Sequence, residues 1–159
     1  MKIQIIVISV LLSAAIAAFI YYSGKKEKAI QDETQSFVEE TVAAISDGWQ
    51  SDALVSRAEP GLIKAMSSGG QSVQDLFNVY SALGTLQKSP DCRLKDTSQF
   101  SGTSDSYTTA SYSCDVSYGN GPATILITVR KPESDDEWKV YYINISSPYF
   151  SKEGYQRTK

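Results

Sequence analysis

The sequence predicts an α+β protein: an N-terminal transmembrane helix, then about three helices packed on an antiparallel sheet of about four strands. Three observations predict it. The run from Ile3 to Tyr22 holds 20 residues and no charge. Between residues 37 and 83 the apolar side chains recur at three- and four-residue spacing, as on one face of a helix. From residue 85 onward the apolar period is two, as on one face of a strand. Helices that precede strands, segregated along the chain, belong on one face of the sheet.

As a helix, the uncharged run spans roughly 30 Å, the hydrocarbon thickness of a bilayer. Ala15-Ile16-Ala17 also fits the small-x-small pattern of a cleavable signal. Cleavage there would leave Phe19-Ile20-Tyr21-Tyr22 as an apolar stub, and only Lys2 precedes the run. Residues 1–24 are therefore read as an uncleaved anchor, residues 25–147 as the domain and residues 148–159 as a tail. Cleavage would make the domain secreted. Lys25, Lys26 and Lys28 follow the run, which by the positive-inside rule alone favours a cytoplasmic domain. The two cysteines point the other way and carry more weight.

Those cysteines are Cys92 and Cys114, on either side of the turn-rich Ser101-Gly102-Thr103-Ser104-Asp105-Ser106. In a hairpin centred on Thr103, they face each other across adjacent antiparallel strands, within disulfide reach. Such a bond persists in an oxidising compartment, so the domain is placed outside the cytosol.

Phe37, Val38, Thr41, Val42, Ile45 and Trp49 form the first helical stripe, and Gly48 suits its end. A shorter stretch through Leu54, Val55 and Ala58 is interrupted at Glu59-Pro60-Gly61 and resumes at Leu62, Ile63 and Met66. Ser72 with Asp75 reads as a helix N-terminus close to a capping box. Val73, Leu76, Phe77, Tyr80 and Leu83 follow as one stripe, ended by Gly84. In the strand region Cys92, Leu94 and Phe100 share one parity, as do Tyr112, Cys114, Val116 and Tyr118. The next strand runs from Ala123 to Arg130, and the last from Trp138 to about Ser146, across the charged loop 131–137. The expected core gathers Phe37, Val42, Trp49, Leu76, Tyr80, Ile125, Ile127 and Ile143.

The short helix pair broken at Glu59-Pro60-Gly61, the helix running into Tyr80-Ser81-Ala82-Leu83-Gly84 and the Tyr- and Thr-rich meander resemble the nuclear transport factor 2-like superfamily. This is also called the ketosteroid isomerase or cystatin-like roll. The resemblance covers about residues 30 to 147 and implies a curved sheet wrapping a helix to form a cone. Small exported members of that superfamily often follow one transmembrane helix and act through protein contacts, as in type IV secretion machines and lipid-import systems. The plan also resembles type IV pilins and pseudopilins, whose processing Gly and following Glu are missing here.

The 159-residue chain suits one domain. Its net charge of −3 lacks the electrostatic term of nucleic-acid binding. The chain has no histidine, the commonest general base and zinc ligand. No cofactor or metal is expected. Glu133, Asp135, Asp136 and Glu137 lack the glycine and spacing of a calcium loop and read as a solvated turn. Enzymes of the roll use carboxylates and tyrosines inside the cone. On the hairpin parity, Asp96 could join Tyr80 or Tyr112 there as polar cavity groups.

Pairing of the last two strands with residue sums near 268 puts Ile125, Ile127 and Val129 on the helix side with Tyr141, Ile143 and Ile145. Leu126, Trp138, Val140 and Tyr142 then point outward, where a protein partner or a second copy would bind. The alternative is that the tail folds over this face with Tyr149 and Phe150. The expected function is a non-catalytic binding or assembly module, tethered by membrane lipid contacts to a bacterial-type inner membrane. A cone that binds a small apolar ligand, or acts as an isomerase, is the alternative, with a pilin-like subunit as the second.

Overall fold

The computed structural model describes residues 2–103 and 105–151, with backbone only for residues 2–20. The chain is α+β. Helix α1 (Lys2–Ser46) is followed by α2 (Ser51–Val55), α3 (Pro60–Met66), α4 (Val73–Tyr80) and a 3-10 turn (Ser81–Leu83). Strands β1 (Asp91–Ser101), β2 (Ser106–Tyr118), β3 (Gly121–Pro132) and β4 (Lys139–Ser146) form one antiparallel sheet in sequence order.

The uncharged run and the first amphipathic stripe are one unbroken helix rather than two. The expected anchor falls almost wholly on residues whose side chains lie outside the described ones. Among the described residues no helix is long and apolar enough to cross a membrane.

Ile30, Thr34, Val38, Thr41, Val42, Ile45 and Ser46 are buried on α1. At 100° per residue they cover roughly 160° of the helix circumference, a wide arc for one packing face. Inner-face side chains of the sheet meet them: Ala110, Tyr112, Cys114, Val116 and Tyr118 from β2, with Ile125, Ile127 and Val129 from β3. Of the expected core, Val42, Trp49, Ile125 and Ile127 are buried. Phe37, Tyr80 and Ile143 are half-buried against that core. Leu76 is half-buried and lies apart from it, because the apolar face of α4 turns on Val73 and Phe77. The N-terminus of α4 is a full capping box: Ser72 Oγ accepts from Asp75 N at 3.1 Å, and the Asp75 carboxylate accepts from Ser72 N at 2.8 Å.

Past α1 the backbone turns through two left-handed residues, Gly48 (φ 74°) and Trp49 (φ 54°). That region costs a non-glycine residue about 1–2 kcal/mol. Packing offsets the cost at Trp49. Its ring lies 5.2 Å from Tyr118, 6.0 Å from Tyr80 and 6.2 Å from Phe77, and its Nε1–H donates to Gly84 O at 3.1 Å. Gly84, at φ 83°, lets the chain reverse beside the β2–β3 turn, where Asn120 N donates to Leu83 O at 2.9 Å.

Two irregularities change which face a side chain takes. In the β1–β2 hairpin Cys92 pairs with Cys114 and Leu94 with Tyr112, but Asp96 pairs with Ser111. Lys95 is an extra residue, and a bulge of one residue moves everything beyond it to the opposite face. Asp96 and Phe100 therefore face outward, not inward with Cys92 and Leu94 as their parity predicts. In the β3–β4 pair Ile125 meets Ile145 and Ile127 meets Ile143, but Val129 meets Val140. Tyr141 is the extra residue here. Val140 is thus fully buried instead of pointing outward, and Tyr141 is exposed instead of lying in the core.

The free edge of β4 is capped at Val140 by the α2–α3 link. Val140 N donates to Arg57 O at 2.8 Å, and Glu59 N donates to Val140 O at 2.9 Å. That satisfies edge groups which would otherwise invite another strand.

The disulfide between Cys92 and Cys114 forms across the predicted pair. It closes a chain separation of 22 residues, a length for which the entropic model gives about 3 kcal/mol. Reduction should lower the denaturation free energy by about that amount without changing the far-ultraviolet spectrum. Ile127→Ala should cost about 2–4 kcal/mol, since Ile127 is fully buried between α1 and β4. Chemical denaturation measures both.

Candidate functional site: the outer face of the sheet

The candidate cavity groups, Asp96 with Tyr80 or Tyr112, lie in three different places. Asp96 lies on the outer face and is exposed. Tyr80 is part of the aromatic cluster at one end of the domain, 6.0 Å from Trp49 and 5.9 Å from Phe150.

Tyr112 is buried inside, where its hydroxyl lies 2.6 Å from Thr34 Oγ1. The Thr34 hydroxyl proton is already given to Ile30 O at 2.8 Å, so the phenol is the donor of that short bond. Tyr118 repeats the arrangement. Ser46 gives its proton to Val42 O at 2.7 Å, and the Tyr118 hydroxyl donates to Ser46 Oγ at 2.7 Å. Both phenols are therefore structural donors that fasten β2 to α1.

The outer face is different. Phe100 on β1 stacks on Tyr107 of β2, with ring centroids 5.1 Å apart. The Arg130 guanidinium of β3 lies 5.1 Å from the Tyr107 ring and 4.3 Å from the Tyr141 ring of β4. Four side chains, one from each strand, thus make a continuous ladder of one stacked ring pair and two arginine–ring contacts. Glu59, from the α2–α3 link, grips Arg130 in a two-pronged ion pair, with Nε donating to Oε1 at 2.7 Å and Nη2 to Oε2. Such fork-to-fork pairing fixes the guanidinium plane that both rings use. Both bulges are needed for the ladder, since without them Phe100 and Tyr141 would face α1. Parity reading missed the ladder for that reason.

Of the four residues expected on this face, Leu126 and Tyr142 are there, 42% and 48% exposed. They are diagonal neighbours across β3 and β4, close enough for large side chains to touch. Trp138 is half-buried against the core with Lys131 Nζ 5.2 Å from its ring, and Val140 is inside. Tyr149 and Phe150 pack at the core near Tyr80 and do not cover the outer face. Residues 152–159 lie outside the described ones. A groove of about 330 Å³ runs beside the ladder between α3 and β4, lined by Leu62, Ala65, Arg130, Tyr141 and Tyr142 among others.

The acidic loop has local uses for its charge. Asp135 accepts from Lys139 Nζ and from Glu137 N, both at 3.1 Å, and these bonds hold its carboxyl below the usual range. Lys131 bonds Glu33 of α1 and lowers the Glu33 carboxyl likewise.

Burial pushes the Tyr80, Tyr112 and Tyr118 phenols above the ordinary tyrosine value. The folded state keeps protons that the unfolded chain releases once pH passes about 10. This contribution is whole below that pH and is lost as pH rises through the raised folded values. Stability should therefore fall with pH above about 10, and Tyr112→Phe with Tyr118→Phe should flatten that fall. Each substitution should cost about 1 kcal/mol at neutral pH, for one donor lost from a buried bond. Denaturation midpoints across pH 8 to about 11 check it. Set against known proteins, the chain matches no family model, no curated protein and no solved structure.

Proposed function

We propose that the chain is a membrane-tethered, extracytoplasmic module for protein binding or assembly, built as a nuclear transport factor 2-like roll and carrying no catalysis of its own. The observation that carries this reading is the outer face of the sheet. Leu126, Tyr141 and Tyr142 stand about half exposed there, beside an ordered aromatic–arginine ladder, and among the described residues no helix covers them. Tyr and Arg are the side chains that interface hot spots favour, and ordering them before binding lowers the entropy lost on association.

Two further features support the tether and its side. The uncharged run and the helix that fills the core are one helix, so the domain cannot swivel freely against the segment that would enter the bilayer. The disulfide belongs to an oxidising compartment, which favours the non-cytosolic side of a bacterial-type inner membrane.

The ligand-binding alternative has less support, because its three named polar groups are dispersed and two of them hold the fold together or pack in its aromatic cluster. The length of α1, 45 residues, is the one feature that favours a pilin-like subunit, and self-association is its signature.

Changing Leu126→Ser and Tyr142→Thr together should leave the circular dichroism spectrum and the melting transition close to those of the parent. Crosslinked products recovered from the native membrane should fall at least tenfold. Unchanged products from a folded variant would refute the outer-face reading. Products that are ladders of this chain alone would favour the pilin-like reading.

A further inference from the structure

The β1–β2 hairpin does not end at the body of the domain. It runs back along α1 toward the uncharged N-terminal run. Two contacts set its level. Gln35 Nε2 donates to Cys92 O at 2.8 Å, and Lys26 Nζ donates to Gln99 Oε1. Nine residues of helix are thus matched by seven of strand, in opposite directions. At about 1.5 Å per helical residue, the hairpin advances roughly 2 Å along the helix axis per strand residue. Continuing that pitch, residues 100–103 lie level with about residues 21–25 of α1.

That stretch of α1 is where the apolar run gives way to Tyr21 and Tyr22, both exposed, and then to Lys25, Lys26 and Lys28. Aromatic side chains followed by lysines are the composition of a membrane–water interface. At this level the hairpin presents Phe100, 50% exposed and stacked on Tyr107. Gly102 leaves room for the ring, since a Cβ at that position would come within 2.8 Å of Phe100 Cε1. The tip from Phe100 to Tyr107 carries one charge, Asp105. The acidic loop after β3 begins beside the tip, where Glu133 N donates to Ser106 O at 2.9 Å, and its Lys131 reaches back to Glu33 of α1.

We propose that the hairpin tip is a second membrane contact: Phe100, with Tyr107 behind it, lies in the headgroup region of the bilayer that the uncharged run enters. The partner is a lipid surface. Tip and helix together would hold the domain in one orientation and keep the Leu126–Tyr142 side of the sheet turned away from the lipid tails. This rests on the tethered reading above.

The test uses the full-length protein in phosphatidylcholine–phosphatidylglycerol vesicles whose acyl chains carry bromine near the headgroup. Bromine quenches tryptophan only at short range. Two single variants are compared with the parent, whose Trp49 and Trp138 supply a constant background: Phe100→Trp for the tip and Tyr22→Trp for the helix. Both added tryptophans should be quenched by shallow bromine, each by at least a third of its own emission, and Gly102→Ala in the Phe100→Trp background should weaken quenching at the tip. Quenching at position 22 without quenching at position 100 would overturn the tip contact and leave the tether standing. Quenching at neither position would overturn both. A blue-shifted, unquenched tip would mean that protein covers it, which also refutes the lipid contact.

Discussion

The structure depends on how α1 is fastened along β2. Twice, at Thr34 and at Ser46, a helix hydroxyl gives its proton to the carbonyl four residues earlier and receives one from a buried tyrosine of β2. The bonds are twelve residues apart on the helix and six on the strand, or roughly 18 Å and 20 Å at the two rises. Helix and strand therefore run in the same direction and nearly in step. Each bond is directional, whereas the surrounding Val, Ile and Leu contacts would tolerate sliding. With the register of α1 on β2 held, the Cys92–Cys114 bond ties β1 to the same frame, and the aromatic cluster around Trp49 closes the far end.

The two sides of the sheet have separate tasks as a result. The inner side is filled mainly by apolar side chains and the two hydrogen-bonded phenols of Tyr112 and Tyr118, while Asp96 lies exposed on the outer side. The outer side carries ordered but exposed aromatic surface. Its order is not incidental to the fold: Arg130, on the ladder, is also the residue that clamps the α2–α3 link through Glu59. The same link supplies the backbone groups that cap the edge of β4. One arginine thus joins edge protection to the presentation of the face where a partner is proposed to bind.

A helix shared between the uncharged run and the core also constrains how the two sit relative to each other. A flexible linker would let the domain sample many heights and rotations. An unbroken α-helix fixes the rise per residue, so the contacts at Lys26, Glu33 and Gln35 become positions along one axis. Side chains of β1 and β3 can be ordered by height on that scale alone.

Much of this was legible in the amino-acid sequence. The change of period near residue 85, the capping box at Ser72 and the facing cysteines are local or symmetric signals, and each has a direct physical cause in 3.6- or two-residue repetition. The helix–sheet order and the inner stripe of β3 follow from them. What only the tertiary structure decided are the faces of Asp96, Phe100, Val140 and Tyr141. Each lies at or beyond a single extra residue, Lys95 or Tyr141, and a bulge leaves no mark in the alternation because both neighbouring residues suit a strand. Whether the chain absorbs one residue there depends on pairing and packing with residues that are distant in sequence. The outer-face ladder, assembled from four strands by two such bulges, exists only at that level.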